Sequence, residues 1–287
     1  MHIEPSGQAC GATITGVDFS TAVDGPTITA VREAWLQHHV LAFPDQQLED
    51  TDLERITRYF GEFGSEPYFG TIDGSDHVVA LTRRADETAP VFAESWHSDW
   101  SFQPKPPIGT LLYSLVIPPV GGDTSFVNQQ LALARMPAAL REKLEGRIAL
   151  HSAAAGYAPD GMYGESDRAA GRSMKISFSE DARDIHPHPF IRPHPESGQE
   201  TLLGCLGYIV GIEGMSDAEA GEILLELYNW QIRDEFQYTH RWQENMLVMW
   251  DNRSLLHRAN GGYDGYDREL HRTTIADDPQ LHLNASL

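Results

Sequence analysis

Residues 96–128, WHSDWSFQPKPPIGTLLYSLVIPPVGGDTSFVN, decide how the rest of the chain is read. Three β-prone runs stand between proline and glycine breaks: WHSDWSF, PPIGTLLYSLVIPP, and GGDTSFVN after a glycine turn. The first run carries chemistry as well as structure. In a strand, successive side chains alternate faces, so His97 and Asp99 project to the same side. An imidazole and a carboxylate aimed into one cavity need only a second, distant histidine to form a facial metal site with open positions, an arrangement suited to Fe(II). Alone, H-x-D is a weak motif, since a histidine near an aspartate is more commonly a surface hydrogen bond.

Upstream, ACGATITGVDFS alternates as a strand does, and Pro26 opens a helix over TITAVREAWLQHHV. VLAFPDQ reads as a buried strand, LEDTDLERITRYFG as an amphipathic helix stopped by Gly61, and HVVALTRR (77–84) as a strand. Downstream, QQLALARMPAALREKLEG reads as two short helices. Residues 153–184 lack periodicity and read as a long loop or lid. HPFIRPHPESGQETLLGCLG reads as two strands around a Glu-Ser-Gly turn, followed by a helix over 216–232. A last β block holds HRWQENMLVMWDNRSLLHRAN and RELHRTTIADD. Many short strands with helices before and between them predict a mostly β fold with helical insertions, a sandwich or jelly roll. No Gly/Ser/Pro-rich linker divides residues 1–287, so a single domain is expected.

Hydrophobic residues make up 41% of the chain and charged residues 22%, the balance of a globular protein. No apolar run approaches the roughly 20 residues that span a bilayer. The N-terminal residues lack a signal-like basic and apolar region, so a cytoplasmic protein is expected. A formal net charge of −21 argues against nucleic acid and anionic membranes as partners. With only Cys10 and Cys205, neither a disulfide framework nor a thiolate metal site is available. A metal here is held by nitrogen and oxygen.

Thirteen histidines compete for the third ligand position. His38 and His39 end a helix, where they complement its dipole, and His186, His188 and His194 lie among prolines. His257 stands out because Arg268 and Arg272 follow it, four apart on one face of the RELHRTTIA strand. Two inward guanidiniums are costly unless they meet anions, and arginine suits bidentate capture of a carboxylate. A diacid bound to metal at one end and arginine at the other satisfies both needs. The plainer reading pairs these arginines with Asp264, Asp267 or Glu269 on a solvated face.

The ordered set W-H-x-D (96–99), PP-x-G, GGDT (121–124), WDNR-x3-H (250–257), then x10-R-x3-R, resembles the taurine dioxygenase/TfdA family of 2-oxoglutarate-dependent oxygenases. GATITGVDFS, VLAFPDQ and HPFIRPHPESG resemble it too, so the likeness covers nearly the whole chain. The resemblance implies a double-stranded β-helix, or jelly roll, with helical insertions. It matches His97, Asp99 and His257 to iron ligands, and Thr124 with Arg268 to the pair holding the distal carboxylate of 2-oxoglutarate. Arg272 matches an arginine near cosubstrate and substrate anion. The implied chemistry consumes Fe(II)-bound 2-oxoglutarate and O2, yields succinate and CO2, and hydroxylates a small organic molecule. Related halogenases lack the carboxylate ligand, so Asp99 marks a hydroxylase. The resemblance also implies a homo-oligomer, dimer or tetramer.

Substrate choice departs from the taurine pattern. In FGEFGSEPYFG, Glu66 falls where taurine-specific members carry a histidine, Phe69 where they carry a tyrosine, and Ala93 where they carry an asparagine. A carboxylate close to a sulfonate is repulsive, so taurine itself is not expected. Either Arg272 alone holds an anionic substrate, or Glu66 receives a cationic or hydroxylated group, or Glu66 is a solvated loop residue. Tyr68, Phe69, Trp100 and Phe102 are candidates for an apolar wall, or for core. The leading expectation is hydroxylation of a sulfonate, sulfate ester or carboxylate. Alternatives are a biosynthetic hydroxylase or desaturase acting on an amino-acid-like substrate, which Glu66 favours, and a non-catalytic jelly-roll binding protein.

Overall fold

The computed structural model describes residues 1–169 and 171–277. Ala170, inside the expected lid, and residues 278–287 lie outside the described residues. A seven-stranded sheet runs in the order His2–Pro5, Ala12–Thr15, Val40–Phe43, Leu247–Asp251, Gly109–Val116, Arg268–Ile275, Val79–Arg83. A smaller sheet orders Gln237–His240, Thr124–Asn128 and Leu255–Ala259, all antiparallel. Beyond the first three strands, neighbours in space in these two sheets are distant in sequence, as a jelly roll requires, and the fold is the strand-rich, helix-decorated one expected.

The central strands read as continuous apolar runs because both faces are covered. Leu41, Phe43, Leu111, Tyr113, Leu247 and Met249 pack with Trp35, Ile56 and Phe60 of the helices Gly25–His38 and Asp50–Phe60. Alternate residues Val40, Ala42, Leu112, Val248 and Trp250 face Phe126, Tyr238 and Leu255 of the small sheet. Arg268, Leu270 and Arg272 share this inner face, all buried. Thus the period-two pattern that builds the core also turns both arginines toward the small sheet, which carries Thr124 and His257.

Gly121 and Gly122 turn the chain into Thr124–Asn128. Both have positive φ (64° and 71°), and a Cβ on Gly121 would lie 2.6 Å from the Gly262 backbone. The helices Gln129–Ala134, Ala138–Leu144 and Asp217–Gln231 form where expected, the last with a Ser216/Glu219 capping box. The strands Ile191–Pro193 and Glu200–Leu202 pair across the Glu-Ser-Gly turn.

Two segments differ from expectation. WHSDWSF is not a strand: His97 forms a single bridge with His257, and Asp99 sits in a turn. Trp100 has φ 48°, which breaks extended backbone immediately after the second ligand candidate. Residues 153–184 carry more local structure than their composition suggests. The helices Ala154–Tyr157 and Glu165–Ala169 and a 3₁₀ turn Glu180–Arg183 lie there, with Tyr157, Tyr163, Met174 and Ala182 buried in an aromatic cluster.

Candidate active site

His97 and His257 meet through their own backbones. Each amide donates to the other's carbonyl, at 3.0 Å and 2.7 Å, which places the two rings 4.3 Å apart. Asp99 Oδ1 lies 3.8 Å from His97 Nε2 and 3.6 Å from His257 Nε2, and the three ligand atoms fall within 4.8 Å of one another. His97 Nδ1 donates to the Ser95 carbonyl at 2.8 Å, which fixes the tautomer that leaves Nε2 as a lone-pair donor. His257 Nδ1 finds no partner among the described residues, and this ring is instead oriented by packing against Trp250 and Phe126.

The protonation states suit a cation. Burial lowers His97 and takes His257 down to about 3, so both imidazoles are neutral near pH 7. Burial pushes Asp99 upward, but Arg272, then His257 and His97, outweigh it and bring the carboxyl to about 2. Two neutral imidazoles and one carboxylate are the donor set that divalent iron accepts, so the residues fit such an ion.

Two cavities meet at this triad. One is walled largely by strands: Leu81, Leu112, Thr124, Trp250, Ala259 and Arg268 line it with the triad and Arg272. The other is walled by segments between strands, including Phe69, Trp100, Tyr157, Met162, Tyr163 and Tyr208. His97, Asp99 and Arg272 line both.

The strand-walled cavity holds several arginines in different electrostatic states. Arg172 makes a two-pronged contact with Asp167 at 2.7 Å each, and Arg83 donates to the Ala89 and Glu87 carbonyls. Arg268 is also buried, yet among the described residues no carboxylate forms an ion pair with it. Its terminal nitrogen donates to the Gly122 carbonyl at 3.1 Å, its Nε is unpartnered, and burial works against its charge. Thr124 Oγ1 accepts from Trp242 Nε1 at 3.0 Å and keeps its own proton to donate.

Arg272 is placed otherwise. Its guanidinium lies 3.2 Å from Asp99 Oδ1 and 3.6 Å from Glu66 Oε1, against the adjoining rings of Phe69 and Trp100. Glu66 is therefore no solvated loop residue. Its side chain is 8% exposed, Oε2 accepts from Trp100 Nε1 at 2.8 Å, and burial raises its pKa against the pull of Arg272. Glu66 and Tyr68 stand behind the loop-walled cavity rather than in its lining, Tyr68 stacked on Tyr157 at 4.3 Å. Phe69 and Trp100 do line it, while Phe102 packs behind with Tyr68.

Sequence reasoning passed over Tyr157, Met162, Tyr163 and Tyr208, whose only signal was tyrosine among glycines in GYAPDGMYG and GCLGY. It also passed over Thr110, whose hydroxyl donates to Asp99 Oδ2 at 2.6 Å.

The profile of the taurine catabolism dioxygenase TauD, TfdA family matches residues 2–274. An alkylsulfatase of Acinetobacter baylyi is 32% identical over 93% of this chain and 82% of that protein. An alpha-ketoglutarate-dependent 2,4-dichlorophenoxyacetate dioxygenase of Cupriavidus pinatubonensis is 36% identical over 93% of this chain and 94% of that protein. Among solved structures, a taurine dioxygenase from Burkholderia xenovorans superposes with a TM-score of 0.78 at 27% identity, covering 96% of this chain and 89% of that one. A profile match across nearly the whole described chain, with relatives of this identity, means that the chain belongs to the TauD, TfdA family of alpha-ketoglutarate-dependent dioxygenases.

Proposed function

We propose that the chain hydroxylates a small organic anion, a sulfonate, sulfate ester or carboxylate, with His97, Asp99 and His257 holding Fe(II) and the strand-walled cavity holding 2-oxoglutarate. The observation that carries the reading is the pairing of a two-histidine, one-carboxylate cluster with a buried guanidinium, Arg268, that forms no ion pair with a carboxylate among the described residues and faces the same cavity. A diacid satisfies both ends at once. Thr124, with a proton to donate, joins Arg268 at the distal carboxylate.

Iron and 2-oxoglutarate, when bound, supply the activation of O2 that yields succinate, CO2 and the hydroxylated product. The remaining work falls to the chain's own groups. His97 presents Nε2 because Ser95 holds its other nitrogen. Arg272, packed beside Phe69 and Trp100, offers positive charge to a substrate anion in the loop-walled cavity. The aromatic wall of Tyr157, Tyr163 and Tyr208 excludes water and packs the apolar part of the substrate. The names of two relatives, an alkylsulfatase and a dichlorophenoxyacetate dioxygenase, support anions with apolar bodies.

The alternative of an amino-acid-like substrate rested on a Glu66 free to receive a cation. That carboxylate is engaged by Trp100 and Arg272, so the anion reading is favoured. We read residues 1–287 as one domain with 153–184 as its lid, and the protein as cytoplasmic and homo-oligomeric. Among the described residues no helix is long and apolar enough to cross a membrane.

The test is anaerobic addition of Fe(II) and 2-oxoglutarate, expected to give a weak visible charge-transfer band, followed by succinate formation across sulfonates, alkyl sulfates, aryloxy acids and amino acids. A folded protein without the band, or one turning over only amino acids, overturns the proposal.

A further inference from the structure

The carboxylate of Asp99 has two oxygens, and the structure treats them differently. Oδ1 faces His97, His257 and Arg272, whereas Oδ2 is turned away and accepts from Thr110 Oγ1 at 2.6 Å. Behind Thr110 lies Asn252, whose Nδ2 donates to the same hydroxyl oxygen at 2.9 Å. Behind Asn252 lies Trp250, whose indole Nε1 donates to Asn252 Oδ1 at 2.9 Å.

The polarity of this relay is fixed at its far end. An indole N–H can only donate, so the atom of Asn252 that meets it must be the carbonyl oxygen. The amide nitrogen then faces Thr110 and donates to it. Thr110 has one proton, and with Asn252 donating to its oxygen that proton goes to Asp99. Every member is buried: Thr110 0%, Asn252 2%, Trp250 3% and Asp99 4% exposed. Water cannot substitute for a missing partner there, and a relay satisfied throughout holds its geometry.

The same short segment grips the other ligands. Ser98, between His97 and Asp99, donates through Oγ to the Asn252 carbonyl at 2.8 Å. The Trp250 ring packs on His257 at 4.9 Å between centroids.

We infer that Thr110 and Asn252 are positioning residues that lock the Asp99 carboxylate with one oxygen tied back and the other presented toward His97 and His257. The inference rests on the proposed metal site and adds to it how the carboxylate is made one-armed. A carboxylate free to rotate could offer both oxygens and consume a coordination position that the cosubstrate and O2 need. The relay prevents this by occupying Oδ2 with a proton donor that has no other acceptor in reach among the described residues.

Titration of metal-free protein with Mn(II), followed by loss of the free-ion paramagnetic resonance signal, tests the assignment. Thr110→Val keeps the shape and removes the hydroxyl, and Thr110→Ser restores it. Partners of metal ligands are typically worth about 10- to 100-fold in metal affinity. Thr110→Val is expected to weaken Mn(II) binding by at least about tenfold, with Thr110→Ser close to the parent and the thermal midpoint of both within about 5 °C of it. Asn252→Asp, which replaces the donor facing Thr110 by an acceptor, is expected to weaken binding likewise, and stands in if Thr110→Val does not fold. Parent-like Mn(II) affinity in folded Thr110→Val or Asn252→Asp, or a Thr110→Ser variant as weak as Thr110→Val, overturns the inference while leaving the metal site intact. Failure of the parent to bind Mn(II) overturns the metal site itself and the inference with it.

Discussion

The two cavities that meet at Asp99 are made of different material. The strand-walled one takes Leu81, Leu112, Thr124, Trp250, Ala259 and Arg268 from six strands, each pinned by backbone pairing on a neighbour. The loop-walled one takes Tyr157, Met162, Tyr163 and Tyr208 from segments between strands, and Arg272 is its single strand residue among those described. A one-residue slip in a strand would turn Arg268 or Thr124 out of its cavity, so sheet register enforces the first set. Nothing comparable enforces the second, and such segments can change without disturbing the sheet. The proposed reaction chemistry therefore sits on the rigid wall and the proposed substrate choice on the exchangeable one.

The largest perturbation strikes the junction itself. His257→Ala should abolish both Mn(II) binding and succinate formation, because two remaining ligands rarely hold a labile divalent ion. Succinate at the parent rate from this variant would falsify the triad.

Next comes the strand-walled side alone. Arg268→Ala should raise the KM for 2-oxoglutarate by roughly 30-fold or more, since truncating one partner of a buried charge pair costs about 2 kcal/mol or more. The KM for the organic substrate should stay within about threefold, less than 1 kcal/mol. Equal effects on both would dissolve the distinction between the cavities, and an unchanged 2-oxoglutarate KM would move the clamp to Arg272.

The smallest effect is expected behind the loop-walled side. Glu66→Gln keeps an acceptor for the Trp100 indole but removes a negative charge beside Arg272. The KM for an anionic substrate should fall by roughly fivefold, about 1 kcal/mol, the upper end for a partly screened ion pair. The 2-oxoglutarate KM should hold. A rise in the anionic-substrate KM would mean that Glu66 orders Arg272 more than it neutralises it.

The same contrast explains what could be read from the chain. Arg268 and Arg272 were legible because β geometry converts sequence spacing into direction: four apart on a strand is one face, whatever else surrounds it. His257 was legible through those two arginines and the ordered motif set. His97 and Asp99 converge even though WHSDWSF is not a strand, because the bridge to His257 and the turn at Trp100 do the work that pleating was expected to do. Glu66 was illegible as a buried partner, since its surroundings are Trp100 and Arg272, distant in sequence. Thr110 was illegible for the same reason, lying eleven residues beyond Asp99 on a different element. The tyrosines of residues 153–184 carry no periodicity at all, and only packing brings them to the cavity.

Arg272 belongs to both walls, and one guanidinium cannot answer two ligands independently. With 2-oxoglutarate and a substrate anion bound as proposed, any shift that one imposes on it is felt by the other. Thermodynamic reciprocity then requires equality: the factor by which cosubstrate changes the affinity for substrate is the factor by which substrate changes the affinity for cosubstrate. In the proposed site the two ligands are thus coupled through a single side chain.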